Sequence, residues 1–225
     1  MTGLAFLVGV LFIVGSAQAA QCESSTTQAS SSAGKTMKLT VKECQERDVR
    51  EIAVSLSGPP AGSARVLRLQ RRISDAPRGG AALRDVDGDG TPEVEVTGPC
   101  GAGPNCERQL FRLSQDARSM FRIYEGSYSD VRRIGQFVVT DSRSSCCSWE
   151  YLAYAMPPPG RALSHFQYSV SVGSIDDTQT AKCRIQRPDA KLRLRPVKSA
   201  PPELLPLCNH YGQFPEMGRG GTMRR

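Results

Sequence analysis

Residues 85–96 read Asp85-Val86-Asp87-Gly88-Asp89-Gly90-Thr91-Pro92-Glu93-Val94-Glu95-Val96, and this stretch decides the fold. Aspartates occupy the first, third and fifth positions, glycine the sixth and a glutamate the ninth. Ca²⁺ takes about six to eight oxygen ligands, which a tight loop supplies from alternate side chains and from a backbone carbonyl at the seventh position. The pattern therefore predicts a calcium site made by Asp85, Asp87, Asp89, the carbonyl of Thr91, and Glu93.

The residues after this loop separate it from the EF-hand type. An EF-hand needs a bidentate glutamate at the twelfth position and a helix on each side, but the twelfth residue is Val96. Polar and apolar residues then alternate from Glu93 to Thr97, which is the period of a half-buried strand. The alternative is a solvated Asp/Gly turn. Three close aspartates repel one another unless a cation neutralises them, and Mg²⁺ rarely uses an all-protein cage. We therefore expect a calcium loop between strands.

The start of the chain has the pattern of an export signal. Residues 4–14 are apolar, and Ala17-Gln18-Ala19 fits a small-residue cleavage site, so residues 1–19 are predicted to be a signal peptide. A lipoprotein anchored at Cys22 is the alternative, although Gln21 stands where lipid attachment favours a small residue. The apolar run is short for a membrane span. We expect a periplasmic or secreted protein.

All eight cysteines follow the predicted cleavage site. An even number in an oxidising compartment indicates disulfides, although the pairing cannot be deduced. The spacing favours Cys100 with Cys106, around a Gly/Pro-rich loop, and Cys183 with Cys208. Adjacent strand residues point to opposite faces, so Cys146 and Cys147 are expected to have different partners or to form a vicinal bridge. A zinc cluster is the rival interpretation, but the sequence has no CxxC pair.

The positive charge lies at the C-terminal end of the chain. The net charge is +7, and the residues from Lys182 onward hold 10 Lys and Arg against 3 Asp and Glu. Such a segment is suited to anionic lipid, cell-wall polymer or an acidic partner. The alternative is a solvated strand followed by a loose terminus. Nothing indicates a nucleic-acid recognition helix. We divide the mature chain into a flexible Ser/Thr-rich leader (20–36), a folded domain (37–200) and a flexible tail (201–225).

Short alternating segments punctuated by Gly and Pro run through the folded domain. The clearest are Ile52 to Leu56 and Phe166 to Val172. Leu110–Leu113 and Met120–Tyr124 flank the polar turn Ser114 to Ser119, which predicts a hairpin. No window keeps helical spacing over three turns. This organisation predicts an all-β, antiparallel, propeller-blade-like domain with disulfides and a calcium-binding loop between strands.

The stretch from Leu83 to Val94, with Leu110–Leu113 and Arg143–Tyr151 downstream, resembles a group of exported bacterial proteins. These proteins have a single propeller-like, calcium-binding blade related to the FG-GAP motif. One branch consists of Xanthomonas-type periplasmic immunity proteins that inhibit a lysozyme-like glycoside hydrolase delivered by a type IV secretion system. The resemblance implies a calcium-binding inhibitor with a protein partner, and it places the ligands at the loop positions given above. It does not locate an inhibitory loop.

Catalysis is not expected. The two histidines, His165 and His210, have no evident carboxylate or nucleophile partner, and the clustered carboxylates belong to the predicted calcium loop. Two hypotheses follow. The preferred one is an inhibitor or immunity protein against a lysozyme-like hydrolase. The alternative is a calcium-stabilised module that binds cell-wall or surface polymer through the basic tail and the aromatic residues Trp149, Tyr151 and Tyr154.

Overall fold

A computed structural model describes residues 22–31, 34–58, 63–158, 160–174 and 181–209. Within these residues the chain forms fourteen strands and two short 3₁₀ helices, Gln45–Arg47 and Pro202–Asn209. The strands are β1 (Cys22–Ser30), β2 (Thr36–Cys44), β3 (Val49–Ser57), β4 (Ser63–Arg71), β5 (Gly80–Arg84), β6 (Glu93–Cys100), β7 (Cys106–Leu113), β8 (Met120–Tyr128), β9 (Asp130–Ile134), β10 (Phe137–Ser145), β11 (Ser148–Ala155), β12 (Tyr168–Ser174), β13 (Ala181–Pro188) and β14 (Leu194–Pro196). The predicted signal peptide and the last sixteen residues, 210–225, lie outside the described residues.

The strands form three antiparallel sheets in which neighbours in sequence are neighbours in space. Sheet A contains β1–β4, sheet B contains β5–β8, and sheet C contains β9–β14. The prediction of an all-β, antiparallel fold is confirmed. The four-stranded meanders resemble propeller blades, but the three sheets, as far as the chain is described, do not close into a propeller.

Sheet B lies between the other two sheets. Val94, Val96 and Phe111 on one of its faces pack in a cluster with the apolar residues of sheet A. Leu110 and Tyr128 on the other face pack against Val131 and Val138 of sheet C. The far side of sheet C has its own core, which the C-terminal 3₁₀ helix covers. Both faces of the strand that follows the predicted calcium loop are therefore buried.

This layering corrects the prediction of a half-buried strand after the loop. Glu93 and Glu95, on the polar face of this strand, are only 1% and 3% exposed. Glu95 accepts hydrogen bonds from Arg84, Arg108 and Tyr128, so its charge is paired inside the protein. The alternation of polar and apolar residues indicated that β6 has two different faces. It did not indicate that the polar face packs against sheet C.

Two segments that we predicted to be flexible are ordered where the structure describes them. The leader contains β1, which pairs with β2 from Cys22↔Cys44 to Ser30↔Thr36. A strand at a sheet edge needs only backbone pairing, so exposed Ser and Thr side chains do not exclude it. The beginning of the tail forms the C-terminal 3₁₀ helix, because Leu204 and Leu207 fill the core of sheet C.

Three disulfides join Cys22 to Cys44, Cys100 to Cys106, and Cys183 to Cys208. The last two are the pairs that the spacing favoured. The Cys22–Cys44 disulfide uses the sulfur atom of Cys22 to which a lipid anchor would be attached. Disulfides of this number are compatible with an exported protein. The described part of the chain contains no helix with the length and hydrophobicity of a membrane span.

The expectation for the adjacent cysteines was wrong. Cys146 and Cys147 are free and exposed. They lie in the two-residue turn between β10 and β11, not on a strand, and the other six cysteines pair among themselves. The structure therefore leaves them without the separate partners that we predicted.

Candidate metal centre

The predicted calcium loop connects β5 to β6, at one end of sheet B. Carboxylate oxygens of Asp85, Asp87 and Asp89 all lie within 4.8 Å of one another. Asp85 and Asp89 are exposed, whereas Asp87 is buried. Val86, between them, packs in the core between sheets B and C and fixes the loop to the fold. The structure thus brings together the three aspartates that the sequence singled out.

Backbone N–H groups hold the aspartate side chains in place. Asp85 accepts hydrogen bonds from Gly88 N to Oδ1 at 2.8 Å and from Gly90 N to Oδ2 at 3.1 Å. Asp87 Oδ1 accepts from Asp89 N at 3.1 Å, and Asp89 Oδ1 accepts from Thr91 N at 2.7 Å. The loop is therefore wound around its own carboxylates, and each of these oxygens keeps a lone pair for a further partner.

The two glycines make this winding possible. Gly88 and Gly90 have φ angles of 72° and 82°, in the left-handed region that residues with a Cβ atom rarely adopt. A side chain at Gly88 would also come within 3.3 Å of the guanidinium of Arg133. Arg133 donates from Nη1 to the carbonyl of Asp87 at 2.8 Å, so the back of the loop is attached to sheet C.

Glu93 stands apart from the three aspartates. Its Oε2 accepts a hydrogen bond from Val86 N at 2.9 Å, and its Oε1 accepts one from Arg112 Nε at 2.9 Å. The structure does not place Glu93 in the cluster with Asp85, Asp87 and Asp89. From the end of the loop, its carboxylate instead binds Val86 at the beginning of the loop and Arg112 on β7.

Arg112 is the functional residue that sequence reasoning missed. Its Nη2 donates to Asp87 Oδ2 at 2.6 Å while its Nε binds Glu93, so one guanidinium bridges two buried carboxylates. The local sequence around the loop holds no sign of it, because Arg112 comes from β7. The available signal was an arginine within the otherwise apolar run Leu110-Phe111-Arg112-Leu113.

The pKa values of Glu93 and Asp87 are raised, first by burial and then by neighbouring carboxylates. Burial raises the pKa of Glu93 to about 7, and the charge of Asp87 adds to the effect, while Arg112 opposes it. Burial likewise raises the pKa of Asp87, and Arg112 opposes that shift too. One guanidinium thus faces two buried carboxylates, with Asp85 and Asp89 beside them. The ionised groups repel one another unless more positive charge is present.

A hard divalent cation fits this arrangement. The cluster consists of oxygen donors, its charge exceeds that of Arg112, and carboxylates and carbonyls are the ligands that Ca²⁺ prefers. Asp85, Asp87 and Asp89 would hold the ion, with Thr91 next in the loop. A cleft of about 370 Å³ borders the loop, and Asp87, Asp89, Thr91 and Glu93 line it.

The other residues singled out in the sequence lie elsewhere. Tyr151 and Tyr154 are buried, and Trp149 packs against the core of sheet C. The hydroxyl of Tyr154 bonds with that of Tyr124 at 3.0 Å. Tyr151 and Tyr154 are therefore core residues and Trp149 is half-buried beside them, so the three do not form an exposed binding platform. His165 is exposed before β12, and His210 lies outside the described residues.

No family model matches the sequence, and no curated protein matches it. Among solved structures, a Xanthomonas type IV secretion system related protein is similar to this chain, with a TM-score of 0.45 and 14% sequence identity. The alignment covers 79% of this chain and 100% of that chain. A similarity of this size does not carry over a function.

Proposed function

We propose that the protein is an exported calcium-binding protein that inhibits a lysozyme-like cell-wall glycoside hydrolase, as immunity proteins do, and is not itself an enzyme. The observation that carries the calcium part is the cluster of Asp85, Asp87 and Asp89, whose carboxylates lie within 4.8 Å of one another on a loop that its own backbone holds in place. Such a loop is ordered before the ion arrives, so little entropy is lost on binding.

The calcium has a structural role in this proposal. The loop begins at the end of β5 and returns into β6, the strand of sheet B that is buried on both faces. An ion bound only in the folded state stabilises that state by mass action, and extracellular sites of this kind commonly bind at about 10⁻⁴–10⁻³ M. Calcium would thus stabilise sheet B, the middle layer of the protein, after export.

The inhibitor part rests on the resemblance of the loop sequence, from Leu83 to Val94, to calcium-binding immunity proteins. A scaffold with three disulfides agrees with it, because a rigid surface loses little freedom when it binds an enzyme. The alternative, a polymer-binding module, has less support, since Tyr151 and Tyr154 are buried and offer no surface for sugar rings.

The test is an inhibition assay with the purified exported chain. Lysozyme-like muramidases, including any encoded beside its gene, are assayed on peptidoglycan with calcium present, and the heat-denatured protein serves as the control. We expect loss of hydrolysis at about one inhibitor per enzyme. Full activity of every such enzyme, combined with retention of the protein on peptidoglycan in a pull-down, would reject inhibition and favour the polymer-binding module.

A further inference from the structure

The exposed large apolar side chains of the described residues are confined to one part of the molecule. Leu192 is 58% exposed, Leu194 36% and Leu205 51%. Leu192 and Leu194 lie on the hairpin formed by β13, residues 189–193 and β14, and Leu205 lies on the C-terminal 3₁₀ helix. The Cys183–Cys208 disulfide joins β13 to that helix. An exposed leucine alone is ordinary, but Leu192 and Leu194 are exposed only two residues apart on the same hairpin.

We call residues 181–198 the basic hairpin. Hydrogen bonds hold the tip of this hairpin in one conformation, and Leu192 at the tip remains exposed. The carboxylate of Asp189 accepts hydrogen bonds from Lys191 N at 2.9 Å, Arg193 N at 3.0 Å and Arg193 Nε at 3.1 Å. Leu192 N donates to the carbonyl of Asp189 at 2.8 Å. Every residue from 190 to 196 is exposed. The tip therefore projects from the edge of sheet C with Leu192 in a defined position.

The backbone at Leu192 is unusual. Its φ angle is 59°, in the left-handed region where a branched aliphatic side chain is uncommon. Glycine or asparagine would adopt this conformation at lower cost. The structure thus holds a large apolar side chain, in a strained conformation, at a position where 58% of it is exposed. Such strain points to a role outside the fold.

Positive charge surrounds the two leucines. The basic hairpin contains seven Lys and Arg residues against one Asp, and they are Lys182, Arg184, Arg187, Lys191, Arg193, Arg195 and Lys198. Asp189 forms ion pairs with Arg193 and Arg195, but the net charge of the basic hairpin remains strongly positive. A concentration of this kind produces a field that attracts an anionic surface.

Strand register places cations and a leucine on the same face. Leu194 pairs with Pro188, so Leu194 shares its face with Arg184 and Lys182, which lie four and six residues from Pro188 along β13. The opposite face of β13 carries Cys183, which forms the disulfide, and Ile185, which packs against the core of sheet C. The solvent face of the basic hairpin therefore presents apolar and cationic groups together.

We propose that the basic hairpin docks on the headgroup region of an anionic lipid bilayer. Leu192 and Leu194 enter the boundary between headgroups and acyl chains, and Lys191, Lys182 and Arg184 contact lipid phosphates. Cations that flank exposed apolar side chains are the combination that binds such surfaces. A bilayer accepts a projecting tip without a matching pocket, whereas a specific protein interface buries about 1,200–2,000 Å² in total. This surface is separate from the calcium loop and does not depend on the proposed inhibition.

The experiment is co-sedimentation of the whole exported chain with vesicles. Vesicles of phosphatidylcholine containing phosphatidylglycerol are compared with vesicles of phosphatidylcholine alone. We expect binding that requires phosphatidylglycerol and weakens as the salt concentration rises. Lys191→Gln should weaken it about fivefold. Leu192→Asn, which suits the left-handed backbone, should weaken it by a similar factor while circular dichroism stays unchanged. Lys38→Gln, an exposed cation on sheet A, is the matched control and should bind like the wild type.

Four outcomes would overturn the proposal. One is equal binding to both kinds of vesicle, and another is wild-type affinity in both hairpin variants. If Lys191→Gln weakens binding but Leu192→Asn does not, the protein adsorbs by charge alone and the leucines do not enter the bilayer. If vesicles are not bound but both hairpin variants lose affinity for an inhibited hydrolase, the surface belongs to an acidic protein partner.

Discussion

Arg112 Nη2 lies 2.6 Å from Asp87 Oδ2, and this ion pair connects the candidate calcium loop to the middle strands of sheet B. The same guanidinium holds Glu93 at 2.9 Å. Arg112 and Glu93 are both at least nine-tenths buried, so the region has an internal cation before any metal binds. The loop therefore depends on a residue almost twenty positions beyond it in the sequence.

Replacing Arg112 by leucine should destabilise the protein strongly. The substitution leaves Asp87 and Glu93 buried without a counter-charge, and breaking a buried pair in this way costs about 3–5 kcal/mol. Urea unfolding at neutral pH measures the free energy of unfolding. Arg122→Leu is the matched control, because Arg122 pairs with Glu125 where both side chains are about half exposed, and such pairs contribute about 0–1 kcal/mol. Equal losses in the two variants would contradict the role given to Arg112.

The disulfides should differ in their contribution to stability. Cys183 and Cys208 are 25 residues apart, and Cys100 and Cys106 are 6 apart. Because a longer closed loop removes more entropy from the unfolded chain, we expect losses of about 3.5 kcal/mol for the Cys183→Ser/Cys208→Ser variant and about 2 kcal/mol for Cys100→Ser/Cys106→Ser. Chemical denaturation of both variants checks the order. The reverse order would show that packing of the C-terminal 3₁₀ helix does not depend on its disulfide.

Stability should also depend on pH through Asp141. Burial raises the pKa of this carboxyl to about 6; the hydrogen bond from the backbone N–H of Asp130 opposes the rise, and the charge of Asp130 adds to it. Because the folded-state pKa lies above the unfolded value, the stabilising contribution is complete below about pH 4 and is lost as the pH rises through about 6. Asp141→Asn removes the charge and should therefore gain stability relative to the wild type between pH 4 and pH 7, by up to about 2 kcal/mol after a reduction for solvent screening.

Asp116 provides the control with the opposite sign. Hydrogen bonds from Ser114 and from the backbone of Arg118 lower its pKa. A lowered folded-state pKa contributes stability that is present at neutral pH and is lost in acid. Asp116→Asn should therefore be less stable than the wild type at pH 7 and approach it as the pH falls. Melting curves of the wild type, Asp141→Asn and Asp116→Asn between pH 4 and pH 7 measure how each substitution changes stability. If both substitutions change the melting temperature in the same direction at pH 7, the pKa shifts given to Asp141 and Asp116 are wrong.

Local patterns were sufficient for part of the fold. Of the alternating residues from Phe166 to Val172, those from Tyr168 onward lie on β12, and the polar turn Ser114 to Ser119 joins β7 to β8 as predicted. The spacing of Asp85, Asp87 and Asp89 also placed them on one loop. Each of these features depends on neighbours within a few residues, so the sequence contains the information directly.

The rest depended on contacts between distant segments. Arg112 reaches the loop only because β7 pairs with β6, and Glu95 is buried only because sheet C covers sheet B. β1 has almost no apolar residue, and its strand conformation comes from pairing with β2. Composition and periodicity describe one segment at a time, so they did not reveal these partners.

The measurement that tests the central claim most directly is thermal unfolding of the exported chain with about 10 mM calcium or with EGTA. Because the ion binds the folded state, calcium at about 10–100 times its dissociation constant should raise the melting temperature by about 3–10 °C. Asp85→Asn should lose this difference, Asp116→Asn should keep it, and magnesium at the same concentration should have a smaller effect. Superimposable melting curves of the wild type in calcium and in EGTA would contradict the calcium site.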